Sequence, residues 1–254
     1  MIGLIVFSIG NNRYALNIDN IQRIIQACEL SDIPNAHEYI DGMMSYEDSV
    51  LKVLSFRKLI GLKTYEDELS VLFKKLKASH EDWLGELVNS IDNGSAFTKT
   101  TDPHKCELGI WLDNFNSYDD RVSTIFKNLT LNHKKLHISG GDVLELYKND
   151  KDSASEILKT EVYDIYNHTM RDIDIFIEEL SIVSNSLQKL LIYENSGKKF
   201  AIKVDVIEDI AHIEDEKIMN SDEEHHQNDF LELDGVLDLD GFLVNLIKTI
   251  NLPH

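Results

Sequence analysis

The chain predicts an α+β protein in which a helical bundle interrupts a pair of related β units. Three observations lead there. Stretches of alternating apolar and polar residues lie at both ends of the chain, the two ends echo one another, and between them the hydrophobic period changes from two to 3.6. With 254 residues, 43% hydrophobic and 28% charged, the chain has the composition of soluble domains that bury a core.

The first echo pairs FSIGNNRYALNIDNIQRII from Phe7 with YENSGKKFAIKVDVIEDIA from Tyr193. It aligns Arg13 with Lys199, Tyr14 with Phe200, Ala15 with Ala201, Leu16 with Ile202, Asp19 with Asp205 and Ile21 with Ile207. Both copies predict a strand, a tight turn at Asn11-Asn12 or Ser196-Gly197, and a second strand, because the alternation suits a half-buried hairpin. A second echo sets GMMSYEDSVLKVLSF from Gly42 against GVLDLDGFLVNLI from Gly235, in the same order. The domain plan is a first β half at 1–62, a helical insert at 63–187 and a second β half at 188–254.

Within the insert, Leu69, Leu72, Phe73, Leu76, Trp83, Leu84, Leu87, Val88 and Ile91 form one helical face ending near Asn93-Gly94. A short helix is expected after Asp102-Pro103, where proline suits the first turn. A third runs through Val122, Ile125, Phe126 and Leu129 and stops near Gly140-Gly141 or continues with a break into Val143 and Leu146. The last long helix carries Val162, Ile165, Tyr166, Thr169, Ile173, Phe176, Ile177 and Leu180. Amphipathic helices on short connections pack as an antiparallel bundle.

The formal charge of -20 excludes a nucleic acid backbone and an anionic membrane surface as partners, since both would be repelled. The acidity is uneven: 7 acidic against 5 basic residues in 1–62, 23 against 14 in 63–187, and 15 against 6 in 188–254. The start lacks a positively charged segment before its apolar run, and no run is long enough to span a bilayer, so a cytoplasmic protein without direct membrane insertion is expected. Cys28 and Cys106 are too few for a disulfide framework.

His80, Cys106, His133 and His137 have the residue types and spacing of a zinc site. His80 lies four after Leu76 and three before Trp83, on the apolar side of its helix, and His133 and His137 extend the stripe through Leu129, one turn apart. An imidazole turned inward without a partner costs on the order of 1–3 kcal/mol, so each needs a metal or a hydrogen bond. Any one of them alone reads better as an ordinary core histidine or, for Cys106, a buried cysteine. Four protein donors close a tetrahedral shell, which disfavours hydrolysis, and neither an HExxH motif, a G-x-S-x-G elbow nor a phosphate-cradling glycine loop occurs. His104 reads as a solvated loop residue, His225 and His226 as part of an exposed acidic loop, His168 as off its stripe, and Cys28 as a small core or surface residue.

The full pattern, HEDW, then CELGIW, then HKKLH, resembles the chemoreceptor zinc-binding domains, whose motif is His-x-x-Trp, Cys-x-Leu-Gly-x-Trp and His-x-x-x-His. The resemblance implies one Zn2+ per chain held by His80, Cys106, His133 and His137, and sensing of zinc or hypochlorous acid through Cys106. It also implies a capacity to dimerise, as some members do. The flanks, RYALNIDNIQRII, IPNAHEYIDGMMSYEDSVLKVLSFRKLIGL, KKFAIKVDVIEDI and GVLDLDGFLVNLIKTI, are similar to the CheW family of chemotaxis coupling proteins. That resemblance implies a pair of small five-stranded β-barrels that bind the histidine kinase CheA and chemoreceptor tips, and a place at chemoreceptor arrays. Two family positions differ: its Leu-Arg-Gly turn reads Tyr46-Glu47-Asp48 and its Asp-Leu-Arg reads Ser55-Phe56-Arg57. Glu47 would reverse a charge contact to receptors, while Arg57 is kept. The expected function is a chemotaxis adaptor with a sensing zinc site. The alternatives are a constitutive scaffold with a structural zinc and, more remotely, a metal-dependent enzyme or oxygen-binding bundle.

Overall fold

The computed structural model describes residues 2–117, 119–213, 218–219 and 226–253, with backbone alone at 218–219 and 226–228. Two compact units result, Met1–Tyr65 with Ser184–His254, and Glu66–Val183.

The first unit is built from β1 Ile2–Ile9, β2 Asn12–Asn17, β3 Ile21–Gln26, β4 Ile40–Tyr46, β5 Ser49–Ser55 and the short helix α1 Phe56–Leu59. After the insert come β6 Lys189–Asn195, β7 Lys198–Val204, β8 Val206–Ile213, β9 Ile218–Met219, β10 His226–Asn228, β11 Leu231–Leu239 and β12 Phe242–Ile250. The predicted hairpins form, but the first turns at Gly10-Asn11, one residue earlier than expected, because Gly10 takes the left-handed φ of 57° that the turn requires. Of the predicted acidic loop, His225 lies outside the described residues. His226, expected in the same loop, instead opens β10, which pairs with β11.

Strand order is β10-β11-β12-β2-β1-β8 in one sheet, with β9 added to β11, and β3-β6-β7-β5-β4 in the other. The echo alone does not reveal how the copies combine. Each sheet takes a hairpin from one end of the chain and three long strands from the other. The registers obey the repeat: Ile5 pairs with Ile210 as Leu191 pairs with Ile24, and Ala15 pairs with Leu246 as Ala201 pairs with Val53. Both sheets are apolar on two faces. Leu4, Val6, Ala15, Val244 and Leu246 fill one side of the first, and Leu190, Ile192, Ala201, Val53 and Leu51 fill the equivalent side of the second. Phe7, Tyr14, Phe56, Tyr193, Phe200 and Ile202 form the core they share. Neither flank can complete a sheet without the other, so the segments on either side of the insert fold together.

Among the described residues, one charged pair is buried inside this unit. Arg57 (2% exposed) meets Asp205 (5% exposed), Nε to Oδ1 at 2.8 Å and Nη2 to Oδ2 at 2.8 Å. Asp205 also accepts from the Gly10 amide and the Gln188 side chain, each at 3.0 Å. Arg57 donates to the Lys63 carbonyl at 3.1 Å and stacks its guanidinium 4.7 Å from the Tyr65 ring. A desolvated pair persists only when such added partners satisfy it. Lys63 and Tyr65 lead into the insert and Gln188 leads out, so the pair ties down both crossings at the β unit. Arg57, the basic residue kept from the family pattern, is therefore internal.

The second unit contains α2 Tyr65–Asn93, α3 Glu107–Asn114, α4 Asp120–Tyr147, α5 Lys151–Ile157, α6 Tyr163–Glu178 and the start of α7 Leu180–Leu187. Helix α3 begins four residues after Pro103, not at it; Cys106 is its N-cap and Pro103 belongs to the turn before. Helix α4, capped where the Asp119 carboxylate accepts the Val122 amide at 2.9 Å, runs unbroken through Gly140-Gly141. The last predicted helix forms as α6, entered from α5 through a π turn at Leu158–Val162, and it ends at Glu178, so that Leu180 opens α7 instead of closing α6. Trp83, Leu84, Leu87, Leu136, Val143, Leu158 and Val162 make an aliphatic layer, whereas Phe73, Trp111, Phe115, Phe126 and Phe176 make an aromatic one. Helices α2 and α4 run from the aromatic to the aliphatic layer; α3 and the α5–α6 arm run away from the aliphatic side. Successive helices thus alternate in direction, and His80, His133 and His137 fall between the two layers. Among the described residues no helix is long and apolar enough to cross a membrane.

Candidate metal centre

Four donor atoms, one each from His80, Cys106, His133 and His137, lie within 4.8 Å of one another. His80 comes from α2, His133 and His137 from α4, and Cys106 from the N-terminus of α3. The three histidines are 1–2% exposed and Cys106 is 9% exposed, which makes Cys106 the most exposed residue of the four.

Hydrogen bonds decide which ring nitrogen faces the centre. His80 Nδ1 is 2.8 Å from the Leu76 carbonyl and His137 Nδ1 is 3.2 Å from the Thr100 carbonyl. A carbonyl only accepts, so both Nδ1 atoms carry the proton and both Nε2 atoms present a lone pair. His137 Nε2 and His133 Nε2 are buried without a hydrogen-bond partner. His80 Nε2 lies 3.4 Å from Cys106 Sγ. Tetrahedral Zn2+ with bonds of about 2.0–2.1 Å to nitrogen and 2.3 Å to sulfur separates such donors by roughly 3.3–3.6 Å. The donor set therefore fits a zinc ion, which would give the two buried, unpartnered nitrogens the partner they lack.

Desolvation keeps the imidazoles neutral. It lowers His80 below its ordinary value, pushes His133 down to about 2, and pushes His137 down to about 4, in each case as the largest cause. Burial raises the Cys106 thiol, while the Gly109 and Leu108 amides at the α3 N-terminus pull it the other way. Without metal the sulfur is a protonated thiol; a bound divalent cation would hold it as thiolate.

A pH dependence follows for the metal-free chain. Each histidine binds its proton more readily unfolded, near 6.5, than folded, so stability is complete above about pH 6.5 and falls as pH drops toward 4. Urea midpoints of the stripped protein should decrease from pH 7.5 to 5; a flat profile would contradict neutral, buried rings.

Two glycines let the helices approach. A Cβ on Gly109 would stand 1.6 Å from the Pro103 carbonyl oxygen, and one on Gly140 would stand 2.3 Å from the Trp83 ring. Gly109 thus lets the turn before Cys106 lie against α3, and Gly140 admits the indole between α2 and α4. That explains why α4 continues through a glycine pair expected to end or break it.

Of the other candidates, His104 is exposed and bonds Asp113 at 2.8 Å, outside the cluster. His168 is exposed and bonds the Asp164 carbonyl at 2.8 Å, and Cys28 is exposed. The cluster contains no carboxylate. The Thr100 carbonyl escaped sequence reasoning, since a backbone acceptor leaves no residue-type signal; the Arg57–Asp205 pairing escaped it because its members are 148 positions apart.

A model of the CheW-like domain matches residues 3–93, and a model of the chemoreceptor zinc-binding domain matches residues 80–144. Over those two stretches the chain is similar to the CheW-like domain and to the chemoreceptor zinc-binding domain. The first match spans β1 to β5 and α2, and the second begins at His80 and includes all four donor residues. A chemotaxis protein CheW from Thermotoga maritima is 21% identical over 72 residues, 28% of this chain and 48% of that protein, so the chain spans about half the length of that relative. The crystal structure of a scaffolding protein CheW from Thermoanaerobacter tengcongensis aligns with a TM-score of 0.45 at 12% identity, covering 98% of this chain and 90% of that one.

Proposed function

We propose that the protein is a cytoplasmic chemotaxis adaptor. Its β unit docks the histidine kinase CheA, chemoreceptors or both at receptor arrays, and its insert binds one Zn2+ through His80, Cys106, His133 and His137. The observation that carries this reading is the convergence of those donors inside a chain with CheW-like strands, two of the nitrogens being buried and unpartnered. The zinc would supply a metal-held thiolate at Cys106. Two-electron oxidation of that sulfur by an oxidant such as hypochlorous acid gives sulfenic acid and removes the soft donor, so the site responds to oxidant as well as to zinc. Altered helix packing reaches the β unit through the two crossings that Arg57 and Asp205 secure.

The test compares CheA binding by zinc-loaded, zinc-stripped and oxidised protein. Affinities that differ among the three support sensing. Equal affinities in all three would reduce the insert to a stabilising module. That second reading, a constitutive scaffold with a structural zinc, draws on the closed four-donor set, the usual form of structural sites. No binding to CheA or to receptor tips in any state would remove the adaptor role itself.

A further inference from the structure

The segment between α2 and α3 does more than connect them. Its Thr98 amide and hydroxyl both donate to Glu86 Oε1 of α2, the hydroxyl at 2.8 Å. Thr101 lies against Gly141 of α4, and the Pro103 carbonyl lies against Gly109 of α3. Residues 98–103 therefore form a strap touching three helices, and Cys106 follows three residues later.

At the middle of this strap one carbonyl serves two donors. Thr100 O accepts from Trp83 Nε1 at 2.8 Å and from His137 Nδ1 at 3.2 Å. The Trp83 ring also packs 5.1 Å from the His137 ring and covers Gly140. The indole thus fixes the acceptor that orients His137 and walls one side of the ring. Groups that hold the second nitrogen of a metal-bound histidine set its tautomer and direction, and their loss typically costs 10–100-fold in metal affinity.

We propose that Trp83 is a positioning residue of the metal centre, acting on His137 through the Thr100 carbonyl. This deepens the zinc reading above and rests on it. Trp83→Phe keeps an aromatic ring but deletes the N–H, leaving the strap free to shift. The imidazole then loses its preferred direction even though none of the four donors has been changed.

The experiment measures Zn2+ affinity of the full chain by competition with a chromophoric chelator, for Trp83→Phe alone and in His133→Ala and His137→Ala backgrounds. The expected result is a 10–100-fold loss in the parent and in His133→Ala, and no further loss in His137→Ala, where the oriented ring is already gone. No loss in the parent, or an equal loss in all three backgrounds, would overturn the proposal; the equal loss would mark Trp83 as a packing residue only. Should Trp83→Phe not fold, benzothienylalanine at position 83 retains the indole shape without the donor and is measured in the same way. A parent chain that binds no zinc would overturn the metal reading, and this one with it.

Discussion

Stripping zinc with a strong chelator is expected to lower the thermal midpoint of the 66–183 unit by on the order of 15 °C. Free zinc at about 1,000 times its dissociation constant adds about 4 kcal/mol to the folded state, and a domain of this size shifts by roughly 3–6 °C per kcal/mol. The effect would be large because the metal would join three helices at the layer between their aromatic and aliphatic cores, and because it would satisfy two buried nitrogens that have no hydrogen-bond partner. Cys106→Ala and His133→Ala are each expected to hold zinc far more weakly than the parent, too weakly to retain it through desalting, and to melt near the stripped parent. Calorimetry with metal analysis on the same samples checks this. Equal midpoints with and without chelator, or one zinc per chain retained by both variants, would defeat the four-donor site.

For the β unit the largest expected effect comes from Asp205→Ala, a loss of about 3–5 kcal/mol in urea unfolding, because it leaves the Arg57 guanidinium buried without its counter-charge. The Gly10 amide and the Gln188 side chain lose their acceptor in the same step. Replacing both charged residues together, as Arg57→Met with Asp205→Leu, should recover most of the loss, since an apolar pair carries no desolvation penalty. A change below about 0.5 kcal/mol for Asp205→Ala would mean that water reaches Arg57 after all, contrary to its burial.

Hairpins, amphipathic helices and the candidate ligands were legible because each is a local pattern. Period-two alternation marks strands on either side of Gly10-Asn11 and Ser196-Gly197, and a 3.6-residue stripe marks α2 from Leu69 to Ile91. The zinc candidates could be picked out because each histidine occupied an apolar stripe where an imidazole needs a reason to be, and because the full motif with Cys106 resembles the zinc-binding domains. Helix ends were read less well. Pro103 sits in a turn rather than a first helical turn, and Gly140-Gly141 lies within α4, since in both places a neighbouring group needs the space: the Pro103 carbonyl against Gly109, and the Trp83 ring against Gly140.

Periodicity and side-chain chemistry along the chain were enough to read the α+β class, the duplicated strands and the helical interruption, because these depend on neighbours a few positions apart, and the motif resemblance added the four candidate donors. Only the folded arrangement decided that strands from opposite ends share each sheet, that Asp19 is exposed while its repeat mate Asp205 is buried against Arg57, and that one carbonyl at Thr100 holds both Trp83 and His137. Those outcomes depend on which distant surfaces meet and exclude water. The cost of leaving a charge or a polar group unpaired arises only once that contact has formed.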